Sequence, residues 1–334
     1  MSSNIYALLI GCNYTGTQNE LYGCQNDVIK YLPILTDAFG YKPENIITLM
    51  DKAGYEYPTF ANITKYMNWL IQKSQGADEL TFYYSGHGSN IRDKSADEPD
   101  RMDECIVPLD FNQNGFILDD YIYLNFLSKL KPVGRFVMVF DSCNSASCTD
   151  LPYSFTIVNN KIVKQSLSKR NPIPSNPNIF VLSGCWDPKY SMDTTEPNGD
   201  PCGLLSYSLR QSLVSSNYNM TIGETLVKIK NNIGNIDQTP VVSVNSGNFT
   251  QSTPMFVKYV QPNSKPNTKP NTKSKDLFRR RDEGITMSQI IKLGLKAKYH
   301  HGHHHKHHKL NKLADKLADK LEDTFEDIFE KIIL

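Results

Sequence analysis

Two apolar stretches of the sequence each end in a residue that can take part in nucleophilic or acid-base chemistry. His87 follows the strand-like run 79–85, and Cys143 follows the apolar run 137–140. Buried strands of parallel sheets are continuous apolar runs, and they deliver the residues after them to one edge of the sheet. A cysteine needs a neighbouring base or cation to be a thiolate at neutral pH, and histidine is the usual partner. Cys143 is therefore the candidate nucleophile and His87 its candidate base.

The histidine is selected by elimination. Seven of the eight histidines lie between positions 300 and 308, so His87 is the only one in the first 260 residues. Cys185 follows another strand-like run and is the alternative nucleophile, although its strand does not end in an acid. Taken singly, a cysteine after a strand is more often a packing residue, and a lone histidine is more often structural. Two strand ends with complementary chemistry favour a catalytic pair.

Hydrophobic patterns predict that strands and helices alternate around these two residues. The predicted strands cover 5–12, 45–50, 79–85, 137–140, 178–183 and 241–244, and the predicted helices cover 26–39, 59–75, 204–213 and 222–233. This alternation is typical of an α/β fold with a mostly parallel central sheet and helices on both faces. Gly11 and Gly16 have the spacing of a phosphate loop, but Thr17 and Gln18 replace its Lys-Ser/Thr pair, which excludes that motif.

Five motifs in this order resemble those of metacaspases, the caspase-like cysteine peptidases of plants, fungi, protists and some viruses. They are ALLIGCNY at 7–14, LYGCQND at 21–27, YSGHG at 84–88, DSCNS at 141–145 and LSGC at 182–185. The resemblance implies a caspase-like three-layer sandwich and a cysteine endopeptidase that works by acyl transfer. It also implies that the backbone N–H groups of Gly88 and Cys143 hold the oxyanion.

The resemblance extends to the pocket for the substrate residue before the cleaved bond. The positions similar to that pocket are Asp27, Ser85 and Asp141, each of the residue type that the family uses for Lys or Arg. Carboxylates pair well with such cations, so we expect polypeptide substrates that are cleaved after Lys or Arg. The alternative role of Asp27 is to cap a helix.

Residues 89–120 are rich in Asp and Glu, and most such charge runs are solvated loops. Clustered carboxylates are also the ligands that calcium prefers. In metacaspases an activating calcium site uses four aspartates, and the resemblance assigns them to Asp103, Asp119, Asp120 and Asp150. We therefore expect calcium to be a cofactor.

The strand and helix signals fill about the first 245 of the 334 residues. We predict a peptidase domain over 1–260, with a large-subunit part at 1–150, a linker at 151–177 and a small-subunit part at 178–260. Lys164, Lys169 and Arg170 are self-cleavage candidates in that linker, as expected of a zymogen that processes itself. The alternative is an exposed loop that any trypsin-like protease would cut.

The C-terminal part has a different composition. Residues 1–260 carry 20 Lys and Arg against 25 Asp and Glu, whereas 261–334 carry 16 against 10. Residues 261–309 form a low-complexity basic and His-rich linker, and 310–334 have the spacing of an amphipathic helix. Such a helix can self-associate, bind a partner, dock on the domain or lie on a membrane. We predict no specific nucleic-acid binding and no transmembrane segment.

The expected compartment follows from the cysteines. Seven cysteines is an odd number, and the N-terminus has neither the charge nor the long apolar run of a signal peptide. We therefore expect reduced thiols in the cytoplasm or nucleus, and no N-terminal prodomain. Asn144 and Ala146 depart from the His-Ser-Gly that usually follows the nucleophile in the family. An inactive caspase-like scaffold acting through its C-terminal tail is the alternative function.

Overall fold

The computed structural model describes residues 4–92, 102–142, 148–166, 170–173, 175–176, 178–184, 193–234, 236 and 238–259. Several predicted features lie outside these residues. They are the nucleophile Cys143 with Asn144 and Ala146, the alternative nucleophile Cys185, the self-cleavage candidate Lys169, the linker at 261–309 and the helix at 310–334. Within the described residues, no helix is both long and apolar enough to cross a bilayer.

The described residues contain fifteen strands. They are β1 (Ile5–Gly11), β2 (Ile46–Met50), β3 (Glu79–Ser85), β4 (Gly88–Arg92), β5 (Met102–Ile106), β6 (Ile117–Leu118), β7 (Arg135–Asp141), β8 (Tyr153–Val158), β9 (Lys161–Ser166), β10 (Ile179–Ser183), β11 (Asp193–Thr195), β12 (Pro201–Gly203), β13 (Met220–Thr221), β14 (Val241–Val244) and β15 (Pro254–Phe256).

The described residues also contain six α-helices. They are α1 (Cys24–Asp37), α2 (Phe60–Ser74), α3 (Phe111–Asn114), α4 (Asp119–Tyr121), α5 (Leu204–Ser215) and α6 (Ile222–Ile233). Short 3-10 turns cover Pro43–Asn45 and Leu127–Lys129, and a π-helical turn covers Ile122–Phe126.

Eight of the strands form the central sheet, in the order β2-β1-β3-β7-β10-β14-β8-β9. The neighbouring strands from β2 to β10 pair in parallel, whereas β14, β8 and β9 add antiparallel pairs at one edge. The predicted mostly parallel sheet is therefore confirmed. β1, β3 and β7 lie side by side, so their carboxyl ends meet at one edge of the sheet.

Helices cover both faces of this sheet. Leu8 and Leu9 are adjacent in β1 and point to opposite faces, and each lies in a different hydrophobic core. The core that contains Leu9 also contains residues of α1, α5 and α6, whereas the core that contains Leu8 contains residues of α2. The resulting three layers confirm the caspase-like sandwich.

Two segments have more structure than the sequence analysis indicates. Residues 151–177, treated there as a linker, include the hairpin of β8 and β9. Its two-residue turn is formed by Asn159 (φ 48°) and Asn160 (φ 60°), and asparagine tolerates this left-handed conformation. The acid-rich residues 89–120 contribute β4, β5 and β6, which form a small antiparallel sheet of their own.

Helix α1 begins two residues earlier than expected. Its N-cap is Gly23, and no side chain caps it, so the alternative role of Asp27 as a helix cap is wrong. Asp27 lies in the first turn with its side chain buried. Its carboxylate accepts hydrogen bonds from Ser85 and Gly203, which lie far from it in the sequence.

Candidate functional site

The candidate site lies at the carboxyl edge of the parallel strands. Ser85, the last residue of β3, is paired in register with Asp141, the last residue of β7. The amide of Gly86 then donates a 3.4 Å hydrogen bond to the carbonyl of Asp141. The turn that carries His87 is thus tied to the strand end that precedes Cys143 by two positions.

His87 is held by two buried tyrosines. Its amide donates a 3.1 Å hydrogen bond to the hydroxyl of Tyr14, and its carbonyl accepts one of 2.7 Å from the hydroxyl of Tyr84. The Tyr14 hydroxyl in turn donates to the carbonyl of Val107 at 2.6 Å. Tyr14 has a φ of 53°, which is uncommon for a large side chain and is often found at functional sites. These contacts fix the backbone of His87.

The imidazole of His87 is oriented by a backbone group. Its Nε2 lies 2.8 Å from the carbonyl oxygen of Asn19, and a carbonyl oxygen only accepts hydrogen bonds. Nε2 must therefore carry the hydrogen, which leaves Nδ1 of the neutral ring as the base. The sequence predicts no third member of the proposed catalytic pair, and a backbone carbonyl leaves no signal in a sequence because every residue carries one.

Three described cysteines have the properties of inert thiols. Burial, as the largest effect, raises the pKa of Cys105 and of Cys202 to about 12. Burial and the charge of Asp51 raise the pKa of Cys12 as well. A thiol with a raised pKa is a poor nucleophile at neutral pH.

Gly88, the predicted oxyanion donor beside His87, begins β4 and is paired with Ile106.

The three predicted pocket residues come together. The hydroxyl of Ser85 donates a 2.9 Å hydrogen bond to Asp27, and the amide of Gly203 donates to the same carboxylate at 3.0 Å. Asp141 accepts hydrogen bonds of 2.8 Å and 2.6 Å from the amide and hydroxyl of Ser206. Asp27, Ser85 and Asp141 are all buried. Two buried carboxylates therefore lie around Ser85, which precedes His87 by two positions.

This burial changes the titration of the pocket. Burial and, next, the negative charge of Asp141 raise the pKa of Asp27 well above its usual value, while hydrogen bonds from Gly203 and Ser85 oppose the shift. A cation that enters the pocket would favour the ionised carboxylate.

A network of ion pairs that the sequence analysis did not identify borders the pocket. Glu196 contacts Arg210 of α5 and Lys30 of α1, the latter at 2.9 Å, and Lys30 also contacts Asp200 at 2.8 Å. These contacts tie the hairpin of β11 and β12, which ends at Gly203, to two helices. The four charges are up to 180 residues apart in sequence, so no local pattern pointed to them.

The predicted calcium ligands are found in and around the small sheet. Asp103 lies in β5, and the next amide, that of Glu104, donates a 2.8 Å hydrogen bond to Asp119. Asp119 also accepts a 2.7 Å hydrogen bond from the amide of Asp120. Burial and, next, the charge of Asp150 raise the pKa of Asp119 to about 7. At least Asp119, Asp120 and Asp150 therefore form one acidic cluster.

A cation from the protein itself contacts this cluster. Arg170 forms an ion pair with Asp120, and its Nε donates a 2.7 Å hydrogen bond to Oδ2 of Asp150. Within the described residues, no group of three or more His, Cys, Asp or Glu side chains is arranged to hold a metal ion. The carboxylate chemistry fits calcium, but the arrangement seen here fits a guanidinium instead.

The self-cleavage candidates have different surroundings. Lys164 lies in β9, paired with Phe155, and its ammonium donates to the carbonyls of Gly247 and Phe249, the latter at 3.0 Å. Cleavage after Lys164 would require this strand pair to open. Arg170 follows the hairpin, and its side chain is engaged by the acidic cluster.

A mostly parallel sheet between two helical layers, with a histidine and two buried aspartates at its carboxyl edge, defines a caspase-like α/β protein. Residues 6–152 belong to the metacaspase family, because the family profile described as metacaspase, peptidase C14 domain, matches them. This match includes the positions of His87 and Cys143.

Two metacaspases agree with this assignment. Metacaspase-1 of Kluyveromyces lactis is 43% identical over 152 residues, which cover 45% of this chain and 35% of that protein. Metacaspase-1 of Schizosaccharomyces pombe is 32% identical over 283 residues, which cover 71% of this chain and 66% of that protein. The chain thus spans about a third to two thirds of these relatives. A solved structure from Geobacter sulfurreducens has a TM-score of 0.48 at 22% identity, covering 77% of this chain and 94% of that one.

Proposed function

We propose that this protein is a cysteine endopeptidase that cleaves polypeptides after Lys or Arg. The observation that carries the proposal is the buried pair Asp27 and Asp141, joined through Ser85 to the strand end beside His87. Buried carboxylates attract a desolvated cation strongly, whereas an acidic substrate residue would be repelled. Ser85, which contacts Asp27 and pairs with Asp141, precedes His87 by two positions, and this supports a pocket and a base that act on one peptide.

In the proposed mechanism, the thiolate of Cys143 attacks the backbone carbonyl carbon of the Lys or Arg residue before the cleaved bond. The amides of Gly88 and Cys143 donate hydrogen bonds to the oxyanion. His87 takes the thiol proton of Cys143, gives it to the leaving amine, and then takes a proton from the water that hydrolyses the acyl-enzyme. The hydrogen bond from Nε2 to the Asn19 carbonyl supports Nδ1 as the atom that exchanges this proton.

Calcium stimulation and self-processing are further parts of the proposal. The acidic cluster of Asp119, Asp120 and Asp150 supplies the carboxylate oxygens that calcium prefers, and Asp103 lies near it. Arg170, which contacts the same cluster, is a basic residue in the segment where we expect processing. Together these features support a zymogen whose activation depends on a cation.

The proposed setting is a reducing compartment, the cytoplasm or nucleus. Cys12, Cys105 and Cys202 form no disulfide, in keeping with reduced thiols. Polypeptides are the proposed partners of the active site. Self-association or partner binding through 310–334 stays a proposal from the sequence pattern alone.

The decisive test is hydrolysis of fluorogenic peptides that end in Arg, Lys or Asp, with and without calcium. We expect calcium-stimulated turnover of the Arg and Lys peptides, no turnover of the Asp peptide, and complete loss in Cys143→Ala and His87→Ala. Arg135→Gln, which removes an ion pair with Glu79 at the opposite edge of the sheet, is the matched control and should retain activity.

The scaffold hypothesis makes the opposite prediction. A folded protein that turns over none of the three peptides, with wild type and Cys143→Ala behaving alike, would refute the endopeptidase. Turnover of the Asp peptide in preference to the Arg peptide would refute the assigned specificity while leaving the catalytic pair intact.

A further inference from the structure

Two cationic side chains of the protein itself lie about one helical turn from the contacts of the pocket carboxylates. Arg210 follows Ser206 by four positions in α5, and Ser206 donates its amide to Asp141. Lys30 follows Asp27 by three positions in α1. Residues three or four apart lie on the same face of a helix. Each cation therefore shares a helix face with a residue of the pocket or with a direct contact of it.

Arg210 is largely buried and already acts on the pocket. Only 11% of its side chain is exposed. Burial and the charge of Asp141 raise the pKa of Asp27, and the positive charge of Arg210 opposes this rise. Within the part of the chain that the structure describes, nothing accepts a hydrogen bond from the buried Nε of Arg210. The guanidinium thus has a donor to spare and a pocket carboxylate within electrostatic reach.

Glu196, in the turn between β11 and β12, contacts both cations. Its Oε1 forms an ion pair with Arg210, and its Oε2 lies 2.9 Å from Nζ of Lys30. Burial raises the pKa of Glu196, but hydrogen bonds from Arg210 and Lys30 outweigh this effect and lower the pKa. Glu196 is therefore ionised at neutral pH, and each of its oxygens contacts one cation.

We propose that Glu196 determines the affinity of the pocket for basic side chains by holding Arg210 away from Asp27 and Asp141. Without Glu196, the guanidinium of Arg210 pairs with the pocket carboxylates and competes with the Lys or Arg of the substrate. This proposal rests on the proposed function, because it concerns the same pocket. It adds a specificity-determining residue that lies outside the pocket.

The competition follows from the cost of an unpaired charge in a largely buried site. A guanidinium that loses Glu196 must find another carboxylate, and carboxylates are also what the substrate cation needs. Arg210 is attached to the protein, so it competes at a high effective concentration. Lys30 differs, because it retains its 2.8 Å ion pair with Asp200 when Glu196 is changed. Arg210 is therefore the cation that Glu196 restrains.

The position of the hairpin of β11 and β12 does not depend on Glu196 alone. The side-chain amide of Asn26 donates a 3.0 Å hydrogen bond to the carbonyl of Pro201, and the amide of Gly203 donates to Asp27 at 3.0 Å. The two strands are also paired with each other. A change confined to the Glu196 carboxylate should therefore leave the hairpin in place and act through the cations.

The first experiment measures binding of a peptide that ends in Arg, by titration calorimetry, to the full chain carrying Cys143→Ala, which cannot cleave it. Glu196→Gln should weaken binding roughly tenfold, the change expected for losing one charged hydrogen-bonded contact. Adding Arg210→Gln to Glu196→Gln should restore most of the affinity, because the competing cation is gone. The same peptide ending in citrulline, an uncharged analogue of arginine, should bind weakly and equally to all three proteins.

The second experiment measures steady-state kinetics in the active protein. Glu196→Gln should raise KM for the Arg peptide and leave kcat nearly unchanged, because neither Glu196 nor Arg210 is among the contacts that hold His87. Asp200→Asn is the matched control. It removes a carboxylate from the same hairpin that pairs with Lys30 but not with Arg210, so its KM should match that of the wild type.

Glu196→Asp covers the case in which Glu196→Gln is too unstable to assay. Aspartate keeps the negative charge on a side chain that is shorter by one methylene group, so the affinity for the Arg peptide should lie between those of the parent and Glu196→Gln. Thermal unfolding of each variant establishes that the binding assays are made on folded protein. A folded Glu196→Asp that binds the Arg peptide as tightly as the parent would overturn the proposal.

The remaining outcomes separate this proposal from the proposed function. If Glu196→Gln and its combination with Arg210→Gln are equally weakened, Arg210 is not the competitor and the proposal is refuted, while the basic-residue pocket stands. If Glu196→Gln binds as tightly as the parent, the proposal is refuted in the same way. If the parent binds the Arg peptide no better than the citrulline peptide, the pocket assignment itself fails, and this proposal fails with it.

Discussion

The ring of Tyr14 packs against the imidazole of His87, with 4.7 Å between the ring centroids. The same tyrosine binds the backbone of His87 through its hydroxyl. Tyr14 is almost completely buried and adopts a φ of 53°, so the surrounding fold must maintain an unfavourable backbone conformation at this position. These features indicate that Tyr14 positions His87, the proposed catalytic histidine.

Replacing Tyr14 should therefore reduce kcat and leave KM for an Arg peptide nearly unchanged. Tyr14→Phe keeps the ring contact but leaves the buried carbonyl of Val107 without this donor, which should lower the free energy of unfolding by about 1 to 3 kcal/mol. Tyr14→Ala also loses the ring, and its kcat should fall by roughly a hundredfold because the imidazole is no longer held in place. Steady-state kinetics and urea denaturation test both effects.

Tyr22→Phe is the matched control for this prediction. Tyr22 is 64% exposed and lies close in sequence to Asn19, so removing its hydroxyl should change neither kcat nor stability by much. A rise in KM without a change in kcat for Tyr14→Phe would assign Tyr14 to substrate binding instead of to the positioning of His87.

Asp27→Asn should change the dependence of stability on pH. Burial, followed by the charge of Asp141, raises the pKa of Asp27 in the folded state above its unfolded value. The stability from protonated Asp27 is therefore complete below the unfolded pKa of about 4, and it is lost as pH rises through the folded-state pKa. Because asparagine has no proton to lose, Asp27→Asn should become increasingly stable relative to wild type between pH 4 and 8, while its KM for Arg peptides rises.

Asp51→Asn provides a control of opposite sign. Partial burial raises the pKa of Asp51, but hydrogen bonds from the amides of Thr15 and Asn13 and from Gln25 outweigh this effect. The pKa of Asp51 is therefore lowered. The stability contributed by this carboxylate is present at neutral pH and is lost as pH falls through the folded-state pKa. Thermal denaturation from pH 3 to 8 distinguishes the two variants, and parallel curves for wild type and Asp27→Asn would contradict the prediction.

The sequence predicts the central sheet well, because its strands are continuous apolar runs separated by amphipathic helices. α6 and β14 have the predicted bounds, and α2 agrees within one residue at each end. The hairpin of β8 and β9 was not predicted, although apolar residues alternate along β8 before Asn159 and Asn160. That Asn-Asn pair is a turn signal that the sequence does contain.

The site is predictable only where a side chain carries the chemistry. Asp27, Ser85 and Asp141 are found together as the resemblance implies, although they come from three separate segments. The Asn19 carbonyl has no side-chain signature, and the contact of Arg170 with Asp150 depends on how a hairpin returns to the small sheet. Such contacts follow from the fold rather than from any local pattern.

Gly203→Ala should damage the pocket through steric contact alone. Gly203 has a φ of −72°, which any residue adopts, but a Cβ atom built there lies 2.1 Å from Oδ2 of Asp141. The carboxylate must move away and lose its hydrogen bonds from Ser206. We expect the free energy of unfolding to fall by about 1 to 3 kcal/mol and KM for an Arg peptide to rise.

Gly199→Ala separates this contact from the general effect of adding a methyl group to the same hairpin. Gly199 has a φ of 90° and nothing within 4 Å of its added Cβ, so its replacement should lower stability by about 1 to 2 kcal/mol through backbone strain. KM should not change, because Asp141 is untouched. Equal rises in KM for the two variants would mean that the hairpin as a whole, rather than the space beside Asp141, determines recognition of the basic side chain.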